Sequence, residues 1–121
     1  MNADQIVRDF CAAWSRADVE AIMDAFTEDA VYHNIPMPAC KGKEDIRKFI
    51  SGMFAGMCKS IDFEIKTQVV SGNIVMNERI DVLHMNEKTV ELPVCGVFEL
   101  TDDGKISGWR DYFDAAQFAG G

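Results

Sequence analysis

The spacing of apolar residues along this chain changes once, close to residue 60. Before this point apolar side chains recur at helical spacing, and after it they alternate with polar ones. A spacing near 3.6 is typical of amphipathic helices, and a spacing of two is typical of strands that bury one face. The sequence therefore predicts an α+β fold in which helices precede most of the strands.

Three helices are predicted in the first half of the chain. The first has an apolar face made of Ile6, Val7, Phe10, Cys11 and Trp14. Asp18 is a suitable N-cap for a second, short helix, whose apolar face is made of Ile22, Ala25 and Phe26. The third helix runs from about Lys43 to Cys58. A short strand in "AVYHNIPMP" precedes the third helix and is stopped by two prolines, Pro36 and Pro38.

Four strands are predicted in the second half. The first alternates from Ile61 to Val69, and the pair Gly72-Asn73 predicts a two-residue hairpin into "IVMNERIDVLHM". A turn near residue 86 leads to "TVELPVCGVFEL", in which Pro93 indicates a bulge or a local edge. The last strand, "ISGWRDYFDAA", follows a tight turn at Gly104.

These elements predict one domain, residues 1–121, with an α+β fold. The strands are expected to form a curved, mixed, mostly antiparallel sheet with the N-terminal helices packed on its concave face. Such a layout leaves a conical pocket between the sheet and the helices, where ligands commonly bind.

The composition argues against several classes of function. The formal net charge of −8 is unfavourable for binding nucleic acid or an anionic membrane surface. No apolar run reaches the roughly 18–20 residues of a transmembrane helix, and the first residues lack a signal-peptide pattern. The four cysteines show no CxxC spacing and are expected to be free, mostly buried thiols. A cytoplasmic location is therefore expected.

The stretch "NERIDVL" places two charged residues inside an otherwise apolar, alternating strand. Arg79 and Asp81 lie two residues apart, so their Cβ atoms are separated by roughly 6.5–7 Å on one face. Val75, Asn77 and Leu83 share that face. Because charged groups rarely leave water unless they are paired or used, these two residues are candidates for a functional site.

Two other strands also place polar side chains beside apolar ones. Asp111 lies between Trp109 and Phe113 on one face of the last strand, and Tyr32 and Asn34 share a face of the short strand. If all these faces point into the pocket, burial and like charge raise the pKa of one carboxyl, while the arginine keeps the other ionised. The result is an acid and a base close together near neutral pH. Spacing alone leaves a second interpretation open, in which the charges form a solvated structural ion pair.

Four motifs carry a family resemblance: "VYHNIPMP", "NERIDVL", "GVFEL" and "DGKISGWRDYFD". Together they resemble the limonene-1,2-epoxide hydrolase family, which has the cone-shaped NTF2-like or SnoaL-like fold. The resemblance extends from "VRDFCAAW" to "WRDYFD" and thus covers nearly the whole chain. It implies an enzyme that opens an epoxide to a vicinal diol in one step, without a metal, a cofactor or a covalent enzyme intermediate.

The resemblance also implies a role for each polar residue of the pocket. Asp111 would be the general base that takes a proton from water, and Tyr32 and Asn34 would hold that water in line with the epoxide carbon. Asp81 would be the acid that protonates the epoxide oxygen, and Arg79 would bridge the two carboxylates.

The expected substrate is a small, apolar, cyclic or terpene-like epoxide, bound mainly by apolar burial and attacked by water. Candidates to shape the pocket are Met53, Phe54, Met57, Leu83 and Trp109, although a plain core position is the better interpretation for each of them taken singly. The resemblance further implies a homodimer formed through the sheet face. Arg110 and Tyr112 have the opposite parity to Asp111 and fit such an outer surface.

Two other functions fit the same sequence. A ketosteroid-isomerase-like or polyketide-cyclase-like enzyme of this fold would use one Asp as a base and would not need the bridging arginine. A non-catalytic small-molecule binding module would also be compatible with the fold. Metal and thiol catalysis are disfavoured, because His33 and His84 lack ligand spacing and Cys95 has no evident base partner.

Overall fold

The computed structural model describes residues 1–120, which form four α-helices and six strands. The helices are α1 (Ala3–Ser15), α2 (Val19–Asp24), α3 (Lys43–Gly52) and α4 (Ala115–Gly120). The strands are β1 (Phe26–Asn34), β2 (Cys40–Lys41), β3 (Cys58–Ser71), β4 (Ile74–Met85), β5 (Thr89–Leu100) and β6 (Ile106–Tyr112). A turn of π-helix, Met53–Met57, joins α3 to β3. No helix within residues 1–120 is long and apolar enough to cross a membrane.

The six strands form one mixed sheet in the order β2-β1-β6-β5-β4-β3. Strand β1 runs parallel to β6, and every other neighbouring pair is antiparallel. The predicted α+β class with a mixed, mostly antiparallel sheet is therefore confirmed. The parallel pairing matters for the site, because it brings the end of β1 beside the end of β6, with Asn34 opposite Asp111.

The first two helices begin where side chains cap them. Asn2 Oδ1 accepts a hydrogen bond from the Gln5 amide at 3.1 Å, and Asp18 Oδ1 accepts one from the Ala21 amide at 3.1 Å. Such caps satisfy backbone donors that a helix start would otherwise leave unpaired. The prediction of Asp18 as the N-cap of the second helix is confirmed.

Several element boundaries differ from the predicted ones, and β2 and α4 were not predicted. Helix α2 ends at Asp24, so Phe26 opens β1 instead of lying on the helix. The predicted third helix is present over nearly its whole length, but α3 ends at Gly52 and the helix continues to Met57 as the turn of π-helix. Strand β6 ends at Tyr112, since Asp114 caps a short helix by accepting from the backbone at residue 116.

The turn predictions for the second half of the chain are partly confirmed. Ser71 pairs with Ile74 around the Gly72-Asn73 turn, as predicted. Pro93 pairs with Ile80 without a register shift, so the expected bulge is absent. The expected local edge is present, because the pairing of β5 with β6 ends at Cys95.

The core lies between the helices and one face of the sheet, which we call the inner face. At its centre, the Trp109 ring stacks on Tyr32 with centroids 4.2 Å apart and on Phe98 at 5.3 Å. Phe10 of α1 meets the edge of the same indole at 5.1 Å. Stacked and edge-to-face aromatic pairs of this kind add to the stabilisation that burial provides. The inner face is therefore held rigidly where the polar residues of β1, β4 and β6 project from it.

Candidate active site

An apolar pocket of about 140 Å³ lies between the helices and the inner face of the sheet. Four polar side chains line it: Tyr32, Asn34, Asp81 and Asp111. They all come from strands, whereas the helices and the π-turn contribute apolar and aromatic side chains such as Trp14, Phe49 and Met53. The pocket thus has a chemically active wall and a hydrophobic wall.

Arg79 lies fully buried behind the polar wall and satisfies all five of its N–H donors. Its Nε and Nη2 donate to the two oxygens of Asp81 at 2.8 and 2.9 Å. Nη2 also donates to Asp111 Oδ2 at 2.8 Å, and Nη1 donates to Asp111 Oδ1 at 3.3 Å and to Asn77 Oδ1 at 3.1 Å. One guanidinium therefore bridges both carboxylates, which are themselves buried.

The strand register explains how residues 32 positions apart meet at one guanidinium. Asn77 pairs with Gly96 of β5, and Gly96 pairs in turn with Asp111 of β6. A Cβ on Gly96 would collide with Arg79 Nη1 and would lie 2.9 Å from Asp111 Oδ1. The missing side chain leaves the space through which Arg79 reaches across β5 to Asp111.

The two carboxylates have different surroundings. Burial is the main cause that raises the pKa of Asp81 from 3.8 to about 6; the Arg79 guanidinium opposes this shift and the negative charge of Asp111 reinforces it. Asp111 accepts a further hydrogen bond from the Trp109 indole N–H at 2.7 Å, in addition to those from Arg79. Asp81 is therefore able to exchange a proton close to neutral pH, which suits it to acid–base chemistry.

Tyr32 and Asn34 lie on β1, beside the end of β6. The Tyr32 hydroxyl donates to Asn34 Oδ1 at 3.3 Å, and its ring is held against Trp109. Burial, and secondarily the charge of Asp111, hold the pKa of Tyr32 well above its usual value, so this phenol stays neutral. The structure thus brings together the five residues proposed from the sequence: Tyr32, Asn34, Arg79, Asp81 and Asp111.

The candidate substrate-binding residues divide into two groups. Met53, Met57 and Leu83 line the pocket. Trp109 lies outside the lining because its ring is completely covered by the aromatic core. Phe54 also lies outside it and packs against Trp14 at 5.6 Å.

Sequence reasoning missed part of the pocket wall and two residues around Arg79. The additional lining residues are Trp14, Met37, Phe49, Ile61, Phe63, Leu92, Val94 and Phe113. Asn77 was placed on the same strand face as Arg79 but was given no role, whereas the close approach at Gly96 depends on the register between strands.

Other reactive side chains do not compete for this site. Cys11 is buried, and burial raises the pKa of its thiol to about 12, so it remains protonated. Cys95 lies exposed on the opposite, outer face of the sheet. Within residues 1–120, no group of three or more His, Cys, Asp or Glu side chains is arranged to hold a metal ion.

Comparison with known proteins identifies the family. The model of the limonene-1,2-epoxide hydrolase catalytic domain matches residues 1–119. The chain belongs to the limonene-1,2-epoxide hydrolase family. Membership of this family supports an epoxide hydrolase function in general terms. The polar pocket wall, with one arginine between two carboxylates, is the candidate active site.

Individual relatives agree with this assignment. The chain is 34% identical over 110 residues to the epoxide hydrolase EphG of Mycobacterium tuberculosis, a match that covers 89% of this chain and 70% of that protein. The structure of an M. tuberculosis epoxide hydrolase that resembles this family superposes with a TM-score of 0.85 at 32% identity, covering 98% and 87% of the two chains. A SnoaL-like protein from Shewanella denitrificans shares the fold alone, with a TM-score of 0.86, 14% identity and coverage of 98% and 94%.

The space above Gly96 yields a first prediction. Gly96→Ala should lower the free energy of unfolding by about 1–3 kcal/mol, because the new methyl group overpacks a buried and hydrogen-bonded guanidinium. Urea unfolding followed by circular dichroism measures this change. Gly108→Ala is the matched control, since its Cβ would meet only the end of the half-exposed Glu99 side chain at 3.1 Å. Equal effects of the two substitutions would contradict the steric argument.

The raised pKa of Asp81 yields a second prediction. Its folded pKa of about 6 lies above the ordinary 3.8, so the folded protein binds this proton more tightly than the unfolded chain does. The resulting contribution to the free energy of unfolding is fully present below about pH 4 and is lost as the pH rises through about 6. A ¹³C-carboxyl NMR titration should show a midpoint near pH 6 for a resonance that is missing in Asp81→Asn. A midpoint near pH 4 would contradict it.

Proposed function

We propose that this protein is an epoxide hydrolase that adds water to a small apolar epoxide in one step and releases a vicinal diol. The observation that carries the proposal is the buried Arg79, which donates to both Asp81 and Asp111 while the two carboxylates line one apolar pocket. An acid and a base on the same pocket wall can protonate one atom and deprotonate another in a single step.

In the proposed reaction, Asp111 removes a proton from a water molecule as the water oxygen attacks an epoxide carbon. The carbon–oxygen bond on that carbon breaks, and Asp81 gives its proton to the departing oxygen. The proton lost by Asp81 and the proton gained by Asp111 balance, so the two carboxyls exchange protonation states in each turnover. Solvent restores the starting state before the next turnover.

The water molecule is proposed to lie between Asp111 and the hydroxyl–amide pair of β1. Because the Tyr32 hydroxyl donates to Asn34 Oδ1, its own oxygen is available to accept a hydrogen bond from water. The Nδ2 group of Asn34 is available to donate one. The water molecule then donates one hydrogen bond to Asp111 and one to the Tyr32 oxygen, and accepts one from Asn34. One lone pair of the water oxygen stays free, which fixes the direction of attack.

The protonation state of Asp81 suits the proposed acid. With a pKa of about 6, roughly a tenth of the molecules carry the proton at pH 7. An ordinary aspartic acid would be protonated in only about one molecule in a thousand at that pH. The apolar surroundings therefore raise the population of the competent form about a hundredfold.

The substrate class follows from the pocket. Its walls offer no positive charge for an anionic substrate, because the guanidinium of Arg79 is fully buried and already satisfied by five hydrogen bonds. The volume of about 140 Å³ is close to that of an apolar cavity of about 150 Å³ known to bind benzene. A six-membered ring carrying the epoxide, as in cyclohexene oxide, matches both properties, whereas the larger limonene-1,2-epoxide needs the apolar wall to move outward.

We also propose that two copies pair through the outer face of the sheet, which points away from the helices. This face carries exposed apolar side chains at Met76 and Tyr112, and β5 contributes the half-buried Val97 beside Met76. Exposed apolar patches of this kind on a sheet commonly mark an interface.

The activity is tested by measuring diol formation from cyclohexene oxide and limonene-1,2-epoxide in the presence of a chelator. The unaltered protein should form diol, whereas Asp111→Asn and Asp81→Asn should lower turnover at least about a hundredfold, since each removes one proton transfer. Arg110→Ala, on the outer face, is the control and should keep turnover. A single turnover in H₂¹⁸O should place the label in the diol at once, because no oxygen comes from a carboxylate.

Two experimental outcomes would favour a different function. Loss of activity in Asp111→Asn together with full activity in Asp81→Asn would favour chemistry with one base, as in an isomerase or cyclase of this fold. Absence of diol from the folded, unaltered protein would favour a binding module, and ligand binding to the pocket would then be the next measurement.

The dimer is tested by sedimentation velocity. The unaltered protein should sediment as twice its 13.5 kDa chain, and Met76→Lys combined with Tyr112→Lys should sediment as one chain. Charges placed in an apolar interface are costly, which is the reason for the expected dissociation. Ala12→Lys, on the exposed side of α1, is the control and should remain dimeric. A monomeric unaltered protein would contradict the proposal.

A further inference from the structure

A chain of hydrogen bonds runs from Arg79 to the first turn of α1, outside the pocket. Arg79 Nη1 donates to Asn77 Oδ1 at 3.1 Å, and Asn77 Nδ2 donates to Gln68 Oε1 at 3.0 Å. Gln68 Nε2 donates to Asp4 Oδ1 at 2.8 Å and to the Asp4 backbone carbonyl at 3.1 Å. Asn77 and Gln68 lie directly opposite each other on β4 and β3.

The direction of every hydrogen bond in this chain is set at its outer end. The Asp4 carboxylate and the Asp4 backbone carbonyl can only accept, so Gln68 must present its amide nitrogen to them. Its oxygen then faces Asn77 and accepts, which obliges Asn77 to turn its own oxygen toward Arg79. A flipped Asn77 would place an N–H group against a guanidinium N–H, inside the protein and without an acceptor.

The oxygen of Asn77 is important to the position of the guanidinium. Without it, Nη1 would keep only the 3.3 Å hydrogen bond to Asp111, the longest of the five. The other four bonds connect Arg79 to the two carboxylates or to Asn77 at 3.1 Å or less. Asn77 is 2% exposed, so water does not substitute for its oxygen.

We propose that Asp4, Gln68 and Asn77 form a relay that orients Arg79 and thereby positions the two carboxylates for the reaction. The inference rests on the proposed hydrolase function, because it assigns positioning residues to that same site. None of the three residues lines the pocket, so each acts through the guanidinium and not on the substrate. A residue on the first turn of α1 thus influences chemistry on β4 and β6.

Gln68→Met tests the relay without altering any group that contacts the pocket. It keeps the length of the side chain and removes both polar atoms, so Asn77 is free to flip. We expect kcat for cyclohexene oxide to fall by roughly ten- to a hundredfold with KM changed less than about threefold, because a displacement of about 1 Å in a preorganised site can cost about a hundredfold. Thr67→Val is the matched control, since Thr67 is the neighbouring residue on β3 and pairs with Glu78 on the outer face.

A double variant that exchanges the hydrogen-bond donor and acceptor between positions 4 and 68 is expected to restore kcat. In the double variant Asp4→Asn with Gln68→Glu, an amide at position 4 donates to a carboxylate at position 68, which can only accept from Asn77; the hydrogen bond to the backbone carbonyl of residue 4 is lost. The net charge is unchanged and the orientation of Asn77 is preserved, so kcat should return to within about threefold of the unaltered protein. A merely structural role for Gln68 would lower the melting temperature and leave kcat unchanged.

A measurement independent of turnover separates failure of the relay from failure of the proposed function. NMR of the Arg79 side chain should show distinct, slowly exchanging Nη signals in the unaltered protein and in the double variant, and averaged signals in Gln68→Met. If the unaltered protein forms no diol, these spectra alone decide on the relay. Unchanged Arg79 signals and unchanged kcat in a folded Gln68→Met protein would overturn it.

Discussion

The burial of one guanidinium constrains much of the rest of the structure. Arg79 is completely removed from water, which is tolerable only if every one of its donors finds an acceptor. Meeting that requirement needs Asp81 and Asn77 on the same face of β4, Asp111 two strands away and an open space at Gly96. The register of three strands is therefore tied to one side chain, and a one-residue slip would move its partners to the outer face.

This cluster is better explained by chemistry than by stability. Buried ion pairs seldom stabilise a fold more than apolar residues of similar size would, because desolvation offsets the attraction between the charges. Here two carboxyls share one arginine, so with both ionised the group carries an excess negative charge in an apolar place. Burial in these apolar surroundings is the main cause of the raised pKa of Asp81, and the charge of Asp111 adds to it, so that this carboxyl exchanges its proton near neutral pH. The same surroundings make the fold less stable as the pH rises through about 6.

Strand alternation made the polar half of the site predictable from the sequence. The parity of residues 75–83 and 109–113 identifies the face on which Arg79, Asp81 and Asp111 lie, and the change of apolar spacing predicts the α+β class. Alternation does not reveal the register across β5, so the close approach at Gly96 was missed. The predicted alternation from Ile61 to Val69 places Gln68 on the polar face, but a bulge between Ile65 and Thr67 turns it to the inner face, opposite Asn77, so this contact was missed too. Alternation also does not show how deeply a side chain is buried. Trp109 has the right parity for the pocket, yet the aromatic core covers it completely.

The division between the two pocket walls has a consequence for specificity. The polar groups stand on paired strands, where register and a shared arginine leave little freedom to move. The apolar lining comes from β3, β4 and β5 as well as from α1, α3 and the π-turn, and the side chains of the π-turn, such as Met53 and Met57, are flexible enough to adapt their shape. For the proposed hydrolase, substitutions on the helical wall are therefore expected to change which epoxide fits without disturbing the proposed proton transfer. The exception is the first turn of α1, where the relay from Asp4 connects the helical layer to the guanidinium.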